Sequence, residues 1–242
     1  MSKLVAIHQP NFFPWLGYFD KIRRADMFVF LDDVQFPKTG GVWSNRVKIL
    51  QQGKARWLTA PVDRAYSGVR LMHEMRFSAQ EDWREKTLKT LHASYGRAAF
   101  FDATMALIVP LILNPDDDLG AYNIHAITAL CAVLGLEKKP LVRSSTCKSA
   151  AAGTERLIAL TQAVGGAAYL CGGGAEGYQE DALFAAGGVG LVYQDFRCVP
   201  YTQAGVAEFV PGLSVIDALM QVGQDAVAAL LRTAPAAAME AS

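Results

Sequence analysis

Leu4-Val5-Ala6-Ile7-His8, Trp15-Leu16-Gly17-Tyr18-Phe19-Asp20-Lys21-Ile22 and Met27-Phe28-Val29-Phe30-Leu31-Asp32-Asp33 together decide the fold. The first and third are short apolar runs without polar alternation, as strands buried on both faces require. Between them, Trp15, Tyr18, Phe19 and Ile22 recur at i, i+3, i+4 and i+7, one face of a helix predicted to run to about Ala25. Strand, helix, strand makes a βαβ unit, whose crossover is right-handed in nearly all known cases.

The alternation returns after Lys139-Pro140. Strands are predicted at 141–144, 167–171 and 190–196, and helices at 154–164 and 178–186, with Ser214-Val215-Ile216-Asp217 capping a last helix through Val222. Short apolar strands alternating with helices at both ends of the chain imply a mostly parallel α/β sheet. The middle reads differently. Residues 42–50, 56–62 and 69–77 are aromatic and β-branched and are punctuated by Gly53, Pro61 and Gly68, which implies an antiparallel insertion over 42–77. Ser78-Ala79-Gln80-Glu81 reads as a capping box opening a helical segment, 79–135, whose later helices fall at 101–113 and 119–135. One domain over 1–232 with a fraying tail at 233–242 is expected.

Lys+Arg and Asp+Glu number 23 each in 242 residues, and 52% of positions are hydrophobic, so a disordered chain is excluded. Neutral balance argues against nucleic acid held on a broad basic surface, though not against local patches. Apolar runs such as 103–113, interrupted by Pro110, are too short to span a membrane, and the start of the chain lacks a signal-peptide pattern, so a cytoplasmic protein is expected. Cys131, Cys147, Cys171 and Cys198 form no CxxC pair and have no His at zinc-ligand spacing; they read as small hydrophobes, with no metal site implied.

Ligands of open parallel sheets bind outside the carboxyl ends of the strands. That rule selects His8-Gln9-Pro10-Asn11, Asp32-Asp33, Ser144-Ser145-Thr146 and Gly172-Gly173-Gly174, which would share one rim. His8 reads as a general base, a phosphate partner or a histidine that fixes the turn. Asp32 and Asp33 suit a metal, a sugar hydroxyl, or pairing with Arg46 or Lys48. In Asn45-Arg46-Val47-Lys48-Ile49 the period of two puts Arg46 and Lys48 on one face, a phosphate clamp or a solvated strand face. Ser144 and Ser145 offer hydroxyls to a phosphate or to the backbone. Gly172 and Gly173 permit close approach of an anion, although the run matches neither G-x-G-x-x-G nor a Walker A loop. Asn123, on an apolar helical face, needs buried partners and is expected to take them from a neighbouring backbone. The tryptophans read as core, with Trp43, after Gly40-Gly41, the one suited to stacking.

Residues 7–22, from Ile7-His8-Gln9-Pro10-Asn11 through Pro14-Trp15-Leu16-Gly17-Tyr18-Phe19-Asp20-Lys21-Ile22, resemble the WbqC-like protein family. Further matches are Ala25-Asp26, Phe30-Leu31-Asp32-Asp33-Val34-Gln35-Phe36, Asn45-Arg46-Val47-Lys48, Trp57-Leu58-Thr59-Ala60-Pro61-Val62, Tyr169-Leu170 with Gly172, and Leu213-Ser214-Val215-Ile216-Asp217. The resemblance covers nearly the whole chain. It implies bacterial surface polysaccharide and O-antigen biosynthesis, and transfer of an acyl or aminoacyl group such as glycyl to a nucleotide-linked amino sugar. It supplies no catalytic residue set.

The Trp15 to Tyr18 region is also similar in spacing to the HxGH region of nucleotidyltransferase-like enzymes such as pantothenate synthetase. Trp15 and Tyr18 replace both histidines, so this likeness supports a Rossmann-like fold and not use of ATP. The expected chemistry assigns His8 as base, Asp32 or Asp33 as orienting groups, and Arg46, Lys48 and the Gly172 loop as phosphate holders, with Gln9, Asn11, Asn45, Ser144 and Ser145 lining the site. The acyl donor (ATP plus amino acid, coenzyme A or a carrier protein) and self-association stay open. A non-catalytic sugar-nucleotide binding protein and a glycosyltransferase are the alternatives.

Overall fold

The computed structural model describes residues 3–40, 42–147, 149–172 and 180–233. Its central sheet has five parallel strands: β1 (Leu4–His8), β2 (Met27–Phe30), β5 (Leu141–Arg143), β6 (Ala168–Cys171) and β7 (Gly190–Tyr193). The spatial order is β5-β2-β1-β6-β7, the doubly wound order in which the chain reverses direction of travel between β1 and β6. Register places Val5 opposite Met27 and His8 opposite Phe30, and on the other side Val5 opposite Tyr169. All five carboxyl ends therefore lie on one rim.

Alternation along each strand feeds two apolar layers. Ala6, Phe28, Phe30 and Leu170 face a large layer that includes α1 (Leu16–Arg24) and α7 (Val215–Thr233). Val5, Ile7, Val29, Tyr169 and Cys171 face a smaller one with Ile158 and Leu160 of α5 (Gly153–Ala163) and Phe184 of α6 (Asp181–Ala186). Both faces are covered, which is why the strands read as continuous apolar runs. Helices α2 (Trp83–Tyr95), α3 (Phe101–Ile112) and α4 (Leu119–Val133) extend the larger layer. No helix among the described residues is long and apolar enough to cross a membrane.

The insertion is a hairpin of β3 (Arg46–Gln51) and β4 (Lys54–Thr59). Residues 69–77 form no strand. They make isolated bridges, Gln35 to Leu71 and Val62 to Phe77, around a short 3-10 turn at Met72–Glu74, because Phe36 and Met72 take backbone partners from the facing loop. Helix α2 is capped by Asp82, whose carboxylate accepts from the Glu85 N–H at 3.0 Å. Ser78 instead turns the chain, its N–H bonded to the Pro61 carbonyl and its hydroxyl accepting from Gln80. Helix α7 consists of two helical stretches joined at a kink: the first ends at Val222, as expected, where Gly223 (φ 78°, ψ 166°) leaves helical geometry, and a second runs on to Thr233.

Candidate functional site

The reversal of chain direction opens a cavity of about 300 Å³ lined by His8, Trp15, Gly17, Tyr18, Lys21, Gly172, Gln194, Asp195 and Phe196. His8 ends β1 and Gly172 follows β6, so the crevice that a doubly wound sheet provides is where these residues meet. Larger, more open concavities lie elsewhere. That of about 450 Å³ around Asp26 and Pro140 is at the amino ends of β2 and β5, away from the rim.

Lys21 is the unexpected member. It sits on the buried face of α1 at 3% exposure, and its ammonium donates to the Ile7 carbonyl at 3.1 Å. It also lies 5.6 Å from the centre of the Tyr169 ring and 4.0 Å from where a Cβ on Gly172 would stand. Among the described residues no carboxylate pairs with it. Its neighbour Asp20 is taken by Arg23, Arg24 and the Gln194 amide, at 2.8, 2.7 and 3.0 Å. Burial pulls the Lys21 ammonium down to about 8. A buried cation beside a cavity, with no carboxylate partner among the described residues, is suited to an external anion.

His8 is shaped by the same surroundings. Burial, then the charge of Lys21, pushes its imidazole down to about 4, so it is neutral at neutral pH. Its Nδ1 lies 3.0 Å from the Gln9 carbonyl, which only accepts; Nδ1 therefore carries the hydrogen and Nε2 keeps the lone pair. The Tyr18 ring meets His8 edge-on at 5.0 Å and its hydroxyl donates to the same carbonyl at 3.0 Å. Gln9 thus acts through its backbone, holding both rings. Asn11 is buried in the loop that follows. Beneath that loop the Asn123 amide donates to the Pro10 and Ser44 carbonyls at 3.0 and 2.7 Å, joining it to the hairpin approach as a backbone-bound amide would. The Trp15 indole lies across Gly17, where an added Cβ would come within 2.4 Å of it, and meets Phe196 edge-on.

Asp32, Asp33, Ser144 and Ser145 come together, but outside the cavity lining. Asp32 is buried and accepts from the Ser145 N–H at 2.9 Å and the Ser145 hydroxyl at 2.8 Å. Ser144 accepts from the Asp32 N–H at 3.1 Å and bonds the Asp33 carboxylate, which also pairs with Arg156 of α5 at 2.5 Å. The acids are thereby engaged with protein groups. Among the described residues no group of three or more His, Cys, Asp or Glu is placed to hold a metal ion.

Arg46 and Lys48 occupy the hairpin, form no ion pair with Asp32 or Asp33, and lie over the Trp57 ring at 4.1 and 5.3 Å. Asn45 is spent on the turn before β3, donating to the Ala60 carbonyl at 3.0 Å and accepting from the Val42 N–H at 3.2 Å. Trp57, like Trp43, is exposed and not core. Gly172 lines the cavity as expected from its place in the chain; Gly173 lies outside the described residues. Strand β7 ends at Tyr193 and not at 196, so Gln194 and Asp195 form the turn after it, whereas Lys21 lies on a helix, which a rule about strand ends does not reach. The signal for Lys21 is a charge between Tyr18 and Ile22 on the apolar stripe of α1.

The fold and this pocket define a doubly wound α/β protein with a cavity, holding a buried lysine and a neutral histidine, where its sheet reverses. The chain belongs to the WbqC-like protein family, whose model matches residues 9–229. It is similar to protein Rv1507c of Mycobacterium tuberculosis (strain ATCC 25618 / H37Rv), described as uncharacterized: 29% identical over 225 residues, covering 93% of this chain and 96% of that protein. No solved structure matches the chain significantly.

Proposed function

We propose that the cavity transfers an acyl or aminoacyl group to the amine of a nucleotide-linked amino sugar, in bacterial polysaccharide biosynthesis. The observation that carries this reading is the pairing, in one cavity, of a buried ammonium with no carboxylate partner among the described residues and a neutral imidazole with its Nε2 lone pair available. The sugar amine attacks the activated carbonyl, forming the C–N bond, and its proton passes to His8 Nε2. Lys21 stabilises the negative oxygen that develops on the carbonyl, where burial strengthens its field. Collapse expels the donor's leaving group and leaves an amide. Asp32 and Asp33 contribute by fixing the rim next to β1, and Gly172 by letting the donor approach the backbone.

An anion that neutralises Lys21 removes one of the two causes holding His8 down, so donor binding itself makes His8 a better base. In the free protein its low basicity favours a second reading, a sugar-nucleotide binding protein without turnover. Incubation with nucleotide-linked amino sugars and a panel of acyl donors, read by mass spectrometry, separates the two. The expected result is amide formation lost in His8→Ala with the fold intact. Retained turnover in that variant rejects the assignment of the base, and calorimetric binding with no donor consumed across the panel supports the second reading.

A further inference from the structure

Net neutrality conceals a segregated charge. Residues 36–70 carry seven Lys or Arg against Asp63 alone. Among the described residues none of those cations forms an ion pair. Arg64 is spent on the Pro37, Lys38 and Gly40 carbonyls. Arg46 and Lys48 are differently placed. Lys48 faces Trp57 across the hairpin as a non-hydrogen-bonded pair, its own carbonyl accepting from the Ser214 N–H at 2.8 Å on the opposite edge. Such pairs bring side chains closest, which puts both cations on the Trp57 ring. Trp43 meets Trp57 edge-on at 5.1 Å, and the two indoles are 44% and 42% exposed.

We propose that this face, Trp43, Trp57, Arg46 and Lys48, is the subsite for the nucleoside diphosphate end of the substrate, with the base on the indoles and the phosphates on the cations. The inference rests on the transferase reading above and orients its substrate. Three features select this ligand. Arginine, lysine and indole N–H groups only donate, and the Asn45 amide beside them is committed to backbone. Phosphates only accept, whereas sugar hydroxyls require both. The indoles pack on one another and under cations, a stacking platform and not a wedge projecting toward lipid. Ser214 also bridges to Trp15, so backbone order runs Trp15, Ser214, Lys48, Trp57. Trp15, at the cavity, is thus two strand spacings, roughly 10 Å, from Lys48, a gap that a diphosphate-linked sugar bridges.

The test is calorimetric and tryptophan-fluorescence titration of the full chain with UDP and ADP. Binding with tryptophan quenching is expected, weakened about tenfold or more in Trp57→Ala and in Arg46→Gln/Lys48→Gln. The glutamine pair keeps the hairpin's bulk and guards against a folding artefact of Trp57→Ala. The proposal is overturned if neither nucleotide binds, or if affinity survives both hairpin variants and falls in Lys21→Met. It is equally overturned if pyrophosphate competes as well as UDP, or if a 12-mer oligonucleotide, a sulfated glycan or anionic vesicles bind the face more tightly than the nucleotides. Hairpin binding without amide formation would sink the transferase reading alone. Unchanged KM for the nucleotide sugar in the hairpin variants would sink the subsite alone.

Discussion

Lys21 carries a cost that exposes its role. With its ammonium at about 8 against an ordinary 10.5, the unfolded chain holds more protons between those values, so stability rises with pH across that window. At neutral pH the charged, buried group costs the fold up to roughly 3 kcal/mol. Lys21→Met is expected to raise the urea midpoint while abolishing transfer, an opposition that a merely structural lysine would not show. Two titrations also bound the activity. His8 must be neutral and Lys21 charged, so kcat/KM is expected to rise through about pH 4 and fall through about pH 8, with no limb near the ordinary histidine value of 6.5. The His8 half of this pair is legible in sequence, because a strand ends on it. Lys21 is not, because a lysine on a surface helix ordinarily faces water, and only its position on the stripe of Tyr18 and Ile22 betrays it.

At the scale of elements, periodicity located α1, α3, α4, α5 and the hairpin, and failed where tertiary partners decided. Ser78 has the spacing of a cap, yet Asp82 performs it, since Pro61 and Asp117 claim the backbone around Ser78. In α7 the expected end at Val222 coincides with the kink, and what periodicity did not show is that Gly223, at positive φ, lets a second helical stretch begin beyond it. Gly223→Ala is expected to cost about 2 kcal/mol or more by denaturant melt, as the new Cβ would meet the Phe100 ring at 2.6 Å besides straining the backbone. Asp217, at the start of α7, is fully buried and accepts from Tyr95, Tyr201 and Gln203 at 2.8, 2.7 and 3.0 Å, while Tyr95 also accepts from the Leu50 N–H. Asp217→Ala orphans three donors and loosens the tie to β3, so a loss on the order of 3 kcal/mol is expected. Hydrogen exchange should then quicken in the hairpin before the central sheet.

Across the whole molecule, the rule that ligands gather at the strands' carboxyl ends correctly placed four polar turns on one rim and overestimated their convergence. The strand order explains why. β5 and β6 are separated by β2 and β1, three strand spacings or roughly 14 Å, so Ser144 and Ser145 close on Asp32 and Asp33 while Gly172 closes on His8. Neither spacing nor composition reveals strand order in advance. Exchanging Asp32 for Asn is accordingly expected to lower stability with transfer reduced less than tenfold, whereas His8→Ala does the reverse. The most direct measurement is a crystal structure of the protein with a nucleotide-linked amino sugar bound. The sugar should lie between His8 Nε2 and the Lys21 ammonium, with its diphosphate running toward Arg46 and Lys48. Density for the sugar against Asp32 and Asp33, or anywhere outside the cavity between β1 and β6, would contradict the assignment of that cavity as the functional centre.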